Sequence, residues 1–207
     1  MQRFICFGLL TLTLWGCASD LDVKLKEFRK NDHNLPEVVA YRSMGAKWKM
    51  SKWFEEIDSM DYQSYHLQSS MLSSQKAMYG IEPMNTYVTV ERFQKNQLSN
   101  YQYFNQAPTL LKALMLHYRL SLEGSNNSDL YNYDFSISEP TSIKTTHGYE
   151  GLIFQAQMVN NYVGASTSGM YAFLKRKDAY WVIKIHATKY SMNYLADDFM
   201  KIIYSFD

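Results

Sequence analysis

The side chains able to do chemistry are scattered through this sequence. Five histidines (His33, His66, His117, His147 and His186) form no HxH pair, no HExxH helix and no Cys/His set, the spacings that bring two ligands onto one metal. Each therefore reads as a structural or solvated imidazole. Gly164-Ala165-Ser166-Thr167-Ser168-Gly169 is rich in glycine and hydroxyls, but it lacks the G-x-S-x-G spacing of a nucleophile elbow and the lysine of a phosphate loop, and it leads into a strand. It reads as a loop. Glu55, Glu56, Asp58 and Asp61 could supply two carboxyls across a sugar ring, as glycoside cleavage requires. The competing reading, a solvated turn between strands, is preferred. Lys175-Arg176-Lys177 is the clearest basic group and also reads as a solvated turn. No catalytic residue, metal ligand or cofactor is assigned. One stretch has the character of a binding surface: Asn100-Tyr101-Gln102-Tyr103-Phe104-Asn105-Gln106 sets three rings among amides. Tyr101, Tyr103 and Phe104 are the candidate partner-binding residues, against the alternative that these rings close over the edge of the core.

The cysteines carry a different chemistry. Arg3 precedes an apolar run from Phe4 to Leu14, the layout of a secretory leader, and the run is shorter than the roughly 20 apolar residues of a spanning helix. It ends in Leu14-Trp15-Gly16-Cys17, with Ala18 and Ser19 following. These residues resemble the lipobox of bacterial lipoproteins. The resemblance implies a signal peptide over 1–16, a diacylglyceryl group on the Cys17 thiol and an acyl chain such as palmitate on its amine. Several chains anchor stably where one holds only reversibly. The resemblance further implies an outer-membrane protein facing the periplasm of a Gram-negative envelope, since Ala18 and not aspartate follows the cysteine. The alternatives are a conventional cleavage after Ala18 or a cytosolic chain with an apolar start. Residues 17–37 are then a lipidated tether, with a short helical stripe at Leu21, Leu25 and Phe28, and residues 38–207 one globular domain.

Charge and composition limit the partners. Without Arg3 the chain carries 20 basic and 20 acidic side chains, which offers no basic stripe for nucleic acid. With Cys6 in the leader and Cys17 lipidated, no disulfide is expected, so stability must come from packing. The 17 tyrosines, 11 phenylalanines and 4 tryptophans suit pleated, half-buried surfaces.

The elements that would position these groups follow from periodicity. Alternation predicts strands over Ala46–Met50, around Tyr62–Met71, and over Tyr87–Phe93, Tyr131–Ile137 and Leu152–Val159. A hairpin is predicted from Met170–Leu174 and Tyr180–His186 about a turn at Arg176-Lys177-Asp178. Helical spacing places Leu110, Leu111, Leu114, Tyr118 and Leu122 on one stripe, with Gly124 as a stop. A last helix carries Met192, Leu195, Phe199, Ile202 and Ile203 on one face; Ser191 is its expected cap, and Asp197-Asp198 are read as dipole-stabilised near its start. Consecutive hairpins and helices imply an α+β domain, a mainly antiparallel sheet covered by helices.

The final stretch, GMYAFLKRKDAYWVIKIHATKYSMNYLADDFMKIIYSF, resembles the end of the PsbP-like fold, whose bacterial members include DcrB-like envelope lipoproteins. The resemblance implies an α/β sandwich used as an accessory or binding module, and it offers no catalytic motif to carry over. The expected function is therefore a lipid-anchored, non-catalytic envelope module. It would meet the membrane through its lipid and a protein or cell-wall partner through its surface. A cell-wall hydrolase using the acidic group and a small-ligand carrier are the alternatives.

Overall fold

The computed structural model describes residues 37–41, 44–51, 54–57, 75–81, 85–99, 109–125, 133–160, 166–177 and 179–207. In chain order the strands are β1 (Glu37–Tyr41), β2 (Ala46–Met50), β3 (Glu55–Glu56), β4 (Gln75–Ile81) and β5 (Thr86–Gln94). Two helices follow, α1 (Lys95–Ser99) and α2 (Leu110–Ser125). Then come β6 (Tyr133–Ile137), β7 (Thr141–Lys144), β8 (Glu150–Asn160), β9 (Ser166–Arg176), β10 (Ala179–Thr188) and the closing helix α3 (Lys189–Tyr204).

Eight strands form one sheet in the order β3-β4-β5-β10-β9-β8-β6, with β7 also on β8. β1 and β2 make a separate hairpin, and every pairing among the described residues is antiparallel. The central strand β10 is buried on both faces, which its run of aromatic and β-branched residues permits. Its odd-numbered residues Trp181, Ile183 and Ile185 join Met192, Leu195, Phe199, Ile202 and Ile203 of α3 and the inner side of β2 in one core. Its even-numbered Tyr180 and Val182 join Phe93, Leu98, Leu114, Tyr118, Phe154 and Phe173 in a second core under α1 and α2. Period-2 alternation thus sorts one strand into two cores.

In β2 the alternation is strict: Ala46, Trp48 and Met50 are buried while Lys47 and Lys49 face solvent. Trp48 stacks on Phe206 at 6.2 Å, and Trp181 meets the same ring edge-on at 5.1 Å. Past α3 the chain pairs with β2, Lys47 N–H donating to the Asp207 carbonyl and Asp207 N–H to the Lys47 carbonyl, each at 2.7 Å. These two bonds clamp the end of α3 to the hairpin.

Several expectations are corrected. α3 is capped by Thr188, not Ser191: the Thr188 hydroxyl accepts from the Ser191 N–H at 3.1 Å and donates to the Ser191 hydroxyl at 2.9 Å. Ser191 lies inside the first turn, fully buried. Because the helix starts at Lys189, Asp197 and Asp198 fall in its middle, where the dipole does little; Asp198 instead pairs with Lys201 at 3.5 Å. Gly124 lies within the last turn of α2 and does not stop it. Glu55 and Glu56 form the edge strand β3 and not a turn. β1, β4 and β7 had no counterpart among the predicted strands. The expected strand around Tyr62–Met71 and the tether lie outside the described residues.

Candidate functional site

The register that builds the sheet also builds a cavity at one of its ends. In the β5–β10 pair Trp181 stands opposite Arg92 and Ala179 opposite Gln94; across the β9–β10 turn Ala179 stands opposite Arg176. The connection between β9 and β10 is only two residues long, and Lys177 meets its geometry with φ of 52°. α1 begins at Lys95, directly after β5. Four basic side chains, Arg92, Lys95, Arg176 and Lys177, consequently converge on one open cavity of about 750 Å³, with Trp181 and the β1–β2 turn residue Gly45 also in its wall. Among the described lining residues none is acidic.

The two guanidiniums are held in place. The Arg92 Cζ lies 5.8 Å from the Trp181 ring centre, a cation–π arrangement. Arg176 donates from Nε to the Tyr149 hydroxyl at 3.1 Å, lies 5.6 Å from that ring, and donates from Nη1 to the Gly45 carbonyl. Gly45 has φ of 70°, which a residue without Cβ adopts freely and which shapes the turn that offers this carbonyl. Behind Arg176, the Tyr149 hydroxyl reaches Asp207 Oδ1 at 3.4 Å. Trp181 is 1% exposed, and its Nε1–H has no hydrogen-bond partner among the described residues.

A second polar cluster lies on the α2 side of the sheet. Lys184 Nζ donates to Glu91 Oε1 at 2.8 Å, with both side chains sealed from water, and the Tyr118 hydroxyl donates to Glu91 Oε2. Lys184 Nζ also sits 5.5 Å from the Tyr118 ring. Lys76, opposite Glu91 on β4, is held below the ordinary lysine range, first by burial and then by the neighbouring Lys184 ammonium, with Glu91 acting the other way. His186 is pushed down to about 3 by burial and by Lys184, so it is neutral at physiological pH. Its Nε2 has no hydrogen-bond partner among the described residues, and its ring meets Tyr171 edge-on at 5.2 Å. Chemistry on a substrate needs access, and Glu91 and Lys184 have none. Their geometry is that of a buried ion pair joining β5, β10 and α2.

The residues singled out by sequence fall into three groups. Cys17, Tyr101, Tyr103, Phe104, His33, His66, Asp58 and Asp61 lie outside the described residues. Glu55 and Glu56 are exposed on the edge strand, and His117 is half buried on α2, its pKa lowered by burial. His147 lies 3.9 Å from Asp207 Oδ1 at the surface. Lys175-Arg176-Lys177 is the third group: only Lys177 is a solvated turn residue, whereas Arg176 and the exposed Lys175 end strand β9, and the Tyr149 and Gly45 bonds tie Arg176 down. Arg92 and Lys95 were missed as cavity residues. Their signal, two cations flanking the end of a strand, has meaning only once the strand is paired. No group of three or more potential metal-ligating side chains occurs among the described residues.

No family model matches the sequence, and no curated protein matches it. The fold matches the solution structure of a cyanobacterial PsbP (CyanoP) from Synechocystis with a TM-score of 0.56, covering 83% of this chain and 91% of that one at 7% identity. A Pseudomonas aeruginosa protein of unknown function superposes with a TM-score of 0.40 at 10% identity, covering 82% of this chain and 94% of that one. A Bacteroides thetaiotaomicron protein does so with a TM-score of 0.42 at 8% identity, over 78% of this chain and 44% of that one. The chain has a PsbP-like α+β fold with an open antiparallel sheet.

Proposed function

We propose that this chain is a non-catalytic binding module of the bacterial cell envelope, held at the outer membrane by lipid on Cys17 and facing the periplasm. The cavity lined by Arg92, Lys95, Arg176 and Lys177 is its binding site. The observation that carries the reading is that cavity: it is open, of the size that small ligands or a partner's side chains occupy, and lined by basic side chains at one end of the sheet. The lipid anchor is supported by Leu14-Trp15-Gly16-Cys17 and the short apolar run before it. No helix among the described residues is long and apolar enough to cross a membrane.

The test is an affinity pull-down from native membranes with the parent protein and with Lys177→Glu. Lys177 is exposed, so the reversal changes the charge of the cavity and leaves the core intact. The expected result is a partner or cell-wall fragment recovered with the parent and lost with the variant. Equal recovery with both would move the binding site away from the cavity.

A further inference from the structure

We propose that the cavity is an oxyanion site that takes a phosphate group, carried either by a soluble phosphate compound or by a phospholipid headgroup. The proposal rests on the binding-module reading above and names what the module holds. Four cationic side chains share one cavity with no carboxylate among its described lining residues, in a chain whose overall charge is only +1. Such a set of donors suits a phosphate oxyanion: a monoester carries about −1.5 to −2 at neutral pH, and the phosphodiester of a lipid headgroup a single negative charge.

The donors are also prearranged. Arg176 spends one N–H on Tyr149 and one on the Gly45 carbonyl, which fixes its plane and leaves further N–H groups of the fork to donate. Arg92 is steadied over the Trp181 ring. Guanidiniums already ordered by the scaffold lose little freedom when an oxyanion arrives, so more of the interaction remains as affinity. Trp181 lines the same cavity as the ring on which Arg92 rests, with its indole N–H enclosed. At about 750 Å³ the cavity exceeds a bare phosphate and leaves room for the group that carries it.

The test is calorimetric titration of the full-length chain in a nonionic detergent. Separate arms use inorganic pyrophosphate, short-chain phosphatidylglycerol, short-chain phosphatidylcholine and succinate. Saturable binding of pyrophosphate identifies a soluble phosphate compound, and binding of phosphatidylglycerol without pyrophosphate or phosphatidylcholine identifies a lipid headgroup. In either case Arg92→Gln and Lys177→Gln should each weaken binding by about tenfold. Lys95→Gln, at an exposed position, gives a variant whose folding is not in question. The proposal is overturned if neither pyrophosphate nor phosphatidylglycerol binds, if binding survives these substitutions unchanged, or if succinate or phosphatidylcholine binds as tightly. A partner lost on Lys177→Glu, with no phosphate binding in any arm, would leave the binding module standing and remove only the phosphate.

Discussion

Lys184 has the Glu91 carboxylate as its hydrogen-bonded counter-ion, at 2.8 Å in a region closed to water. Replacing it with methionine leaves a buried carboxylate without its nearest cation. Lys184→Met should lower the unfolding free energy by about 3 kcal/mol or more. The triple change Glu91→Leu, Tyr118→Phe, Lys184→Met should recover most of that loss, because no buried polar group of the triad remains unpaired. Urea unfolding of both variants checks this; a single variant within about 1 kcal/mol of the parent would contradict a buried, coupled pair. His186 gives a pH dependence of definite sign. Its folded pKa is about 3 against the ordinary 6.5, so below 6.5 the unfolded chain takes up a proton that the folded chain refuses. Its contribution to stability is therefore full above 6.5 and falls as pH drops toward 3. His186→Leu should shrink the stability difference between about pH 7.5 and about pH 5.5 by about 1.4 kcal/mol, read from urea midpoints at the two pH values. A charged residue within an apolar strand signals that a partner exists. Which partner depends on register: Val182, not Lys184, stands opposite Glu91, and the ion pair is the diagonal.

At the level of elements, the closing helix shows how far periodicity reaches. Met192, Leu195, Phe199, Ile202 and Ile203 form its buried face as their spacing predicts, yet its start lies two residues before Ser191. Two hydroxyls three residues apart, Thr188 and Ser191, can each cap a helix, and the sequence does not separate them. The strand does, because β10 runs to Thr188 and leaves that residue with the non-helical φ of −59° and ψ of 154° that a cap needs. Thr188→Ala should cost about 1 kcal/mol. Since α3 covers the sheet and clamps to β2 through Asp207, thermal unfolding of this variant should remain one transition at a lower Tm. Separate melting of α3 would show that the clamp is weaker than its two backbone bonds imply. The β9–β10 hairpin was legible to its turn, where Lys177 takes the left-handed conformation. β4 was not: Gln75–Ile81 mixes lysine, glycine and methionine, and its burial depends on β5 beside it.

For the whole molecule, the lipid anchor remains a proposal with a direct test. Cys17→Ser should shift the protein from the membrane fraction to the soluble fraction or block its maturation. Mass spectrometry of the native protein should find Cys17 acylated; an unmodified thiol would remove the anchor and the outer-membrane placement together. Local pattern was enough for the α+β class, the central hairpin and both long helices, since alternation and 3.6-residue spacing are properties of consecutive residues. It also placed Trp181 and Arg176 near the same turn. What only the tertiary structure decided is which residues from distant segments meet there. Arg92 reaches the cavity because β10 pairs with β5 across nearly a hundred residues of chain, and Gly45 because the separate β1–β2 hairpin offers its carbonyl to Arg176. Long-range pairing has no local signature, because its entropy cost is met by burial summed over the whole sheet and not by any one segment. The same pairing set Arg176 and Lys177, part of a surface charge run by composition, in the wall of that cavity.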